Sequence, residues 1–216
     1  MGVAIRTADE GDRELVVRLL DEAFQNDPVS SWVFPGADHR RATHHRLMAA
    51  FTDTVLAEGR IDLTEDGAGC ALWLMVPAGD PSAAPGPAAS EPGTGGDGVE
   101  GSTAKEAARL RETVDPDNER VERIARLMAE AHPADRAHAY LWMIAVTPAR
   151  QGEGVGAALV RHALDRCDGE RLPAYLEASS ARSVPLYERL GFAPTGHTLD
   201  LPDGPRMWPM WREPRG

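Results

Sequence analysis

A mixed α/β domain is the fold class that the sequence predicts. Apolar runs of strand length alternate with segments of helical period. A Gly-rich turn near residue 151 joins a long apolar strand to a helix, and no internal repeat interrupts the order. The 216 residues, 42% of them hydrophobic, suffice for one sizeable core, so a single domain over 1–216 is expected.

Residues 3–8, VAIRTA, read as a short strand. Thr7 and Glu10 have the spacing of a capping box, and Leu15, Val16, Leu19, Leu20 and Ala23 then share one helical face. A second helix is expected over about 38–58, and strands at 61–65 and 69–76 form a hairpin across a Gly-containing turn. Residues 77–102 hold 12 Gly or Pro in 26 positions, too little apolar surface to offset ordering entropy, so a flexible insertion is expected there. A helix near 118–131 puts Val121, Ile124, Ala125 and Met128 on one side. A central strand at 137–146, a Gly-opened helix over 151–167, a strand at 173–179 and a short helix at 183–190 follow. Two strands around Pro202, Asp203 and Gly204 close the chain as a hairpin, with Trp208 and Trp211 on an edge-like final strand.

Composition excludes several classes. The chain has 23 Lys and Arg against 34 Asp and Glu, net −11, and no basic block, so no nucleic-acid partner is expected. No apolar run reaches about 18 residues and the opening lacks the pattern of a secretory signal, so no membrane partner and a cytoplasmic setting are expected. Cys70 and Cys167 lack CxxC spacing, which predicts no metal site and a reducing compartment. His39, His44 and His45 do not share a helical face well and read as solvated helix residues.

The chemistry concentrates at the Gly-rich turn. A strand ends near Val146, Pro148 breaks it, and Gln151, Gly152, Glu153, Gly154, Val155 and Gly156 open a helix. Glycines let the backbone approach a ligand, and the free N–H groups and dipole of a helix start attract an anion. This predicts a phosphate or pyrophosphate site on main-chain amides. Gly152, Gly154 and Ala157 also meet the dinucleotide pattern, with Glu177 lying 20 residues past Ala157. The residues between Val146 and Gly152, and the short chain downstream, oppose a nicotinamide site. A loop that merely turns a strand into a helix is the plain alternative.

A second block, LEASSARSVPLYERLGF at 176–192, follows in order. Together the two blocks resemble the GCN5-related N-acetyltransferases. The match is to their [QR]-x-x-G-x-[GA] loop, at Gln151, Gly154 and Gly156, and their Tyr-x-x-x-Gly-Phe, at Tyr187, Gly191 and Phe192. Within that superfamily the chain is similar to puromycin N-acetyltransferase and related actinobacterial antibiotic acetyltransferases. That likeness is carried by HPADRAHAYLWMIAVTPARQGEGVG, PAYLEASSARSVPLYERLGF and LPDGPRMWPM, and near the start by VAIRTADEGD and AFQNDPVSSWVFP. Two departures are Ser183, where the family often has Asn, and the insertion at 77–102.

The resemblance implies a central mixed, mostly antiparallel sheet with splayed central strands flanked by helices. It implies acetyl coenzyme A as co-substrate and no metal. The pantetheine arm would lie along the main chain of Ile144, Ala145 and Val146. The pyrophosphate would sit on the amides around Gln151, Gly152, Glu153, Gly154, Val155 and Gly156, with Ser183 close by and charge from Arg150, Arg161 or Arg182. An ammonium has no lone pair, so the acceptor must lose a proton, and Glu177 is the expected base, through water. The bland reading is that Glu177 orders backbone or pairs with an arginine. Tyr187 is expected to protonate the leaving thiolate, or else it only packs. Asn26, Asp27 and Trp32 are expected to line the acceptor side, with Trp32 as plain core the alternative. The expected function is acetyl transfer to a primary amine of a small molecule, with a puromycin-like antibiotic as the finer expectation. A protein N-terminal or lysine acetyltransferase and a non-catalytic coenzyme A-binding module are the alternatives, and monomer and homodimer both stay open.

Overall fold

The computed structural model describes residues 2–79 and 99–216. Its sheet runs in the order β1 (Ile5–Thr7), β2 (Arg60–Thr64), β3 (Gly69–Val76), β4 (His138–Val146), β5 (Ala174–Ala178), β8 (Arg206–Arg212), β6 (Ala193–Pro194), and β7 (Leu199–Asp200) pairs with β8. Among the described residues only β4 and β5 pair in parallel; the other pairs are antiparallel. The mixed, mostly antiparallel sheet expected from the sequence is therefore present. β8 lies inside it, between β5 and β6, and is not the edge expected for Trp208 and Trp211.

Helices cover both faces. α1 (Arg13–Phe24), α2 (Pro28–Val33), α3 (Ala37–Glu58), α4 (Val99–Val114) and α5 (Glu119–Ala131) pack on one side, α6 (Val155–Glu170) and α7 (Val184–Arg189) on the other. Strand alternation divides the core between them. Leu72 and Leu74 of β3 face the first layer with Val16, Leu20 and Met48, whereas Ala71 and Trp73 face the second with Leu159 and Leu176. Among the described residues no helix is long and apolar enough to cross a membrane.

The feature that shapes the site is a fault in β4. Leu72 of β3 opposes Met143 and Trp73 opposes Leu141, so Trp142 is an extra residue on β4. Trp142 and Met143 accordingly both turn to the first layer. Such a bulge bends its strand and raises the local twist. β4 and β5 pair only at Ala139↔Ala174 and Tyr140↔Tyr175, and then part. β5 keeps its other partner throughout, from Ala174↔Arg212 to Ala178↔Trp208. The expected splay is thus confined to the one parallel seam.

Several boundaries differ from the sequence reading. The capping box uses Asp9 and Asp12, because Thr7 is committed to β1, where it pairs with Asp62. The short helix α2 was not anticipated, although Asp27 caps it by accepting from the amides of Val29 and Ser30, and Pro28 fills the first turn. Helix α4 was missed too, and its first residues occupy the end of the stretch read as an insertion. Its signal was the buried stripe of Ala107, Leu110 and Val114. The remainder of that stretch, 80–98, lies outside the described residues.

The last strand is held by an ion pair between the buried Arg212 and the half-buried Asp168. The Arg212 guanidinium grips Asp168 of α6 through two bonds of 2.7 and 2.8 Å, and its Nε donates to the carbonyl of Leu190. The hydrogen bonds from Arg212 hold the Asp168 carboxyl down at about 2. A depressed folded-state value means the contribution is full above the ordinary 3.8 and is lost as pH falls toward 2. Asp168→Asn leaves the nearly inaccessible Arg212 without its counter-charge, and is expected to cost about 3 kcal/mol in urea denaturation at pH 7. A loss near zero there would show that the pair is not load-sharing with the core.

Candidate active site

Two concavities open where β4 and β5 part. The first is a groove of about 640 Å³. Its floor is Ile144 and Val146, its rim is Gln151, Gly152, Gly154, Val155 and Gly156, and Arg161, Arg182 and Arg189 also line it. Gly152 and Gly154 have φ of +83° and +85°, a region costly for any residue with a Cβ, and a Cβ at either would meet open space. Helix α6 starts at Val155, so its first amides have no intrahelical acceptor and face this rim. The Gln151 amide nitrogen donates to the carbonyl of Val146 and pins the loop to the strand end. Positive-φ glycines and a helix start thus lie together at the position that the sequence reading singled out.

The other expected groove residues divide. The Ala145 side chain turns to the opposite face, into the first-layer core, so only its main chain is available. Glu153 does not line the groove: its carboxylate takes a 2.6 Å bond from Arg150, which also pairs with Asp66. Arg150 is therefore occupied by two carboxylates. Among the described residues, Arg161, Arg182 and Arg189 have no such ion pair and carry the groove's positive charge. Ser183 lines the groove and donates its hydroxyl to the carbonyl of Ser180.

The second concavity is a mainly apolar cavity of about 110 Å³, narrower than the groove and continuous with it. Leu47, Met48 and Phe51 of α3, Leu110 of α4, Ile124, Ala125 and Met128 of α5, and Trp142 and Met143 wall it. The Phe51 and Trp142 rings meet at 4.4 Å between centroids. Sequence reasoning missed α4 and α5 as walls, because the contact joins segments distant along the chain. Trp32, expected as the aromatic wall, is buried elsewhere. Its indole donates to the carbonyl of Pro202 and lies so close to Gly204 that a Cβ there would come within 2.3 Å of the ring. Asn26 is exposed and lines neither concavity.

Groove and cavity meet at Phe24, Asp27, Ile144, Ser179 and Tyr187, which line both. Asp27 spans the junction, one oxygen capping α2 and the other accepting from the Ser179 hydroxyl at 2.6 Å. Burial pushes the Asp27 carboxyl up, against those hydrogen bonds. Burial, helped by the nearby Asp27, pushes the Tyr187 phenol up to about 12, so it keeps its proton at neutral pH. Burial also lifts the Cys70 thiol to about 12, so it offers no thiolate.

Glu177 lies on the cavity wall, with no arginine partner among the described residues. One oxygen accepts from the Tyr140 hydroxyl at 2.6 Å; the other, Oε1, is buried with no hydrogen-bond partner. The bland alternative of an arginine pair is thereby replaced by a buried phenol contact. His44, read as solvated, is 0% exposed. Its Nδ1 lies 2.7 Å from Asp21 and its Nε2 3.0 Å from Ser30 on the cavity wall.

The comparisons with known proteins agree with this geometry. Residues 111–192 match the model of the family described as the Acetyltransferase (GNAT) family. A mycothiol acetyltransferase of Beutenbergia cavernae is 41% identical over 63 residues, which is 28% of this chain and 21% of that protein. The chain thus spans about a fifth of the length of that curated relative. A solved structure from Corynebacterium glutamicum, described as histone acetyltransferase HPA2 and related acetyltransferase, superposes with TM-score 0.69 at 27% identity, covering 100% of this chain and 98% of that one. A mosquito arylalkylamine N-acetyltransferase-like protein shares the fold, with TM-score 0.64 at 17% identity over 98% of this chain and 100% of its own.

Two buried histidines tie stability to pH. Burial lowers the pKa of His44 and of His138 from 6.5, so each is neutral in the folded protein. A lowered folded-state value leaves stability whole above about pH 6.5 and removes it as pH falls through that point. The melting temperature is expected to hold between pH 8 and 7 and to drop by pH 5.5, with His44→Leu flattening part of the drop. A melting temperature that rises on acidification would contradict the assignment of neutral rings.

Proposed function

We propose that this chain, which carries a GNAT-family acetyltransferase domain, moves the acetyl group of acetyl coenzyme A to a primary amine of a small molecule. The observation that carries the reading is the junction of the two concavities. A groove rimmed by free amides and arginines meets a mainly apolar cavity at a protonated phenol and a carboxylate. The first suits a pyrophosphate-bearing thioester, the second an uncharged group next to the nucleophile. The unpaired main chain of β4 beyond Tyr140 supplies the hydrogen bonds that an amide-bearing arm needs in order to lie between the strands.

The order of events follows from proton accounting. The acceptor enters as an ammonium and gives up a proton toward Glu177, directly or through water. The freed nitrogen attacks the thioester carbonyl, and a β4 amide near the seam receives the developing oxyanion. The leaving thiolate takes its proton from Tyr187, whose hold on that proton at neutral pH makes it an acid, and the proton shed by the acylated nitrogen as it becomes an amide restores the phenol. The cavity limits the acceptor. An engineered apolar cavity of about 150 Å³ holds benzene, so about 110 Å³ admits one side-chain-sized apolar group and not a whole nucleoside. The acceptor class that fits is an amine beside a compact apolar group, and a puromycin-like antibiotic remains the finer proposal, with its bulk outside the cavity. A cytoplasmic setting belongs to the same proposal.

Free-thiol release from acetyl coenzyme A, measured over a panel of small amines, lysine peptides and N-terminal peptides, tests it. Turnover is expected with apolar small amines and not with peptides. Turnover with peptides alone would replace the acceptor class, and tight coenzyme A binding with no thiol release from any amine would reduce the protein to a binding module. Tyr187→Phe is expected to lower kcat about 10²-fold with little change in KM for acetyl coenzyme A. An undiminished kcat would mean that sequestration, not proton donation, drives thiolate departure.

A further inference from the structure

Behind Glu177 lies a line of buried groups that the reaction as described does not use. His132 caps the C-terminal end of α5 and His138 opens β4. Nδ1 of His138 is 2.7 Å from the carbonyl oxygen of Arg136. A carbonyl only accepts, so that nitrogen bears a hydrogen. His138 is wholly buried and burial lowers its pKa, so the ring is neutral and its Nε2 is a bare lone pair. Nε2 of His132 lies 3.0 Å from it and must therefore be the donor. That leaves the Nδ1 lone pair of His132 facing Oε1 of Glu177 across 3.8 Å. The Glu177 side chain is 1% exposed, its other oxygen is taken by Tyr140, and Oε1 has no partner. Two acceptors confront each other across a gap that one proton would turn into a hydrogen bond. The other titratable groups facing the pair are Tyr140 and His138 of β4 and Tyr175 of β5, with Asp135 near His138 in the preceding loop. Burial, the Glu177 charge and hydrogen bonding to Glu177 raise both tyrosine pKa values, so both phenols, including the Tyr175 hydroxyl that has no other partner, are donors toward Glu177 and neither competes as a base.

We propose that His132 and Glu177 together are the proton-accepting site for the acceptor ammonium: Glu177 receives the proton and His132 Nδ1 holds it, while His138 sets the tautomer that keeps Nδ1 open. This deepens the acetyl-transfer reading and rests on it. The step balances. One N–H bond of the ammonium breaks and its electron pair stays on nitrogen as the nucleophile. One N–H bond forms on His132, and the pair passes from net −1 to neutral. The imidazolium then donates to Glu177 on one side and His138 on the other. The carbonyl end of α5, whose dipole favours a cation, lies at its back. His132 acts through Glu177 and is a positioning and proton-holding residue, not one that touches substrate.

The test separates proton acceptance from structure. In His132→Gln, kcat/KM at pH 7 is expected to fall about 10²-fold for an alkylamine, which must be deprotonated, and less than about threefold for an arylamine, which is already neutral. Equal losses for both acceptors, or no loss for either, overturn the proposal. A second measurement needs no turnover: the nitrogen NMR spectrum of histidine-labelled wild-type protein at neutral pH. It is expected to show His132 as the Nε2–H tautomer and His138 as the Nδ1–H tautomer, and the reverse assignment overturns the proposal even if the variant fails to fold. A wild-type protein that releases no thiol with any amine would instead defeat the acetyl-transfer reading, and the tautomers would still be decided by the spectrum.

Discussion

The parting of β4 from β5 is the constraint on which the rest of the structure depends. A sheet normally spends every main-chain polar group on a neighbouring strand, because a buried unpaired N–H or C=O costs as much as a lost hydrogen bond. Here the extra residue Trp142 turns β4 away after Tyr140, while β5 stays paired to β8. The cost is a run of β4 main chain that keeps β3 on one side and has no strand on the other. The same break lets the Gly-rich rim, the start of α6 and the side chains of β5 converge on one place. A straight, fully paired β4 would close the groove and seal the cavity from it.

Burial then sorts the polar groups around that break into roles. Asp27 and Tyr187 sit at the junction, where desolvation raises both, so the tyrosine keeps its proton and the carboxylate is held in place by three hydrogen bonds. Glu177 sits deeper, among phenols and imidazoles, with one oxygen unspent. A buried unsatisfied oxygen is rare in native proteins, since its desolvation is uncompensated. It persists where the fold's other contacts over-determine its position, and that makes it a place where a proton or a ligand is welcome. The two sides of the seam differ in character, with arginines and amides along the groove and apolar walls around the cavity.

The cavity is assembled from helices and strands that meet only in the folded chain. α2 turns inward because Asp27 caps it and Pro28 starts it, placing Ser30 and Val33 on the wall. Ser30 is held there by His44 and Asp21, a fully satisfied polar line inside an otherwise apolar layer. α4 and α5 close the top with Leu110, Ile124 and Met128. The cavity walls thus come from helices far apart along the chain, while the groove takes its floor and rim from the stretch 144–157 and its other side from residues 179–190.

That division explains what was legible in the sequence. The Gly-rich rim, the helix it opens, the strand order around it and the Tyr187 segment are local: glycine permits positive φ, a helix start exposes amides, and period reveals strands and helices. They were readable without a fold, as was the splay, by resemblance. The apolar walls, the burial of His44, the removal of Trp32 to the space beside Gly204, the loss of Arg150 to two carboxylates and the tyrosine and histidine ring around Glu177 were not. Each depends on contacts between residues far apart in sequence, and a side chain's burial and charge state are set by the neighbours that tertiary packing brings, not by those along the chain. The amino-acid order alone determined the glycine rim and the helix start that it opens; only the packed structure decided which side chains face them across the seam, because those neighbours come from elsewhere in the chain.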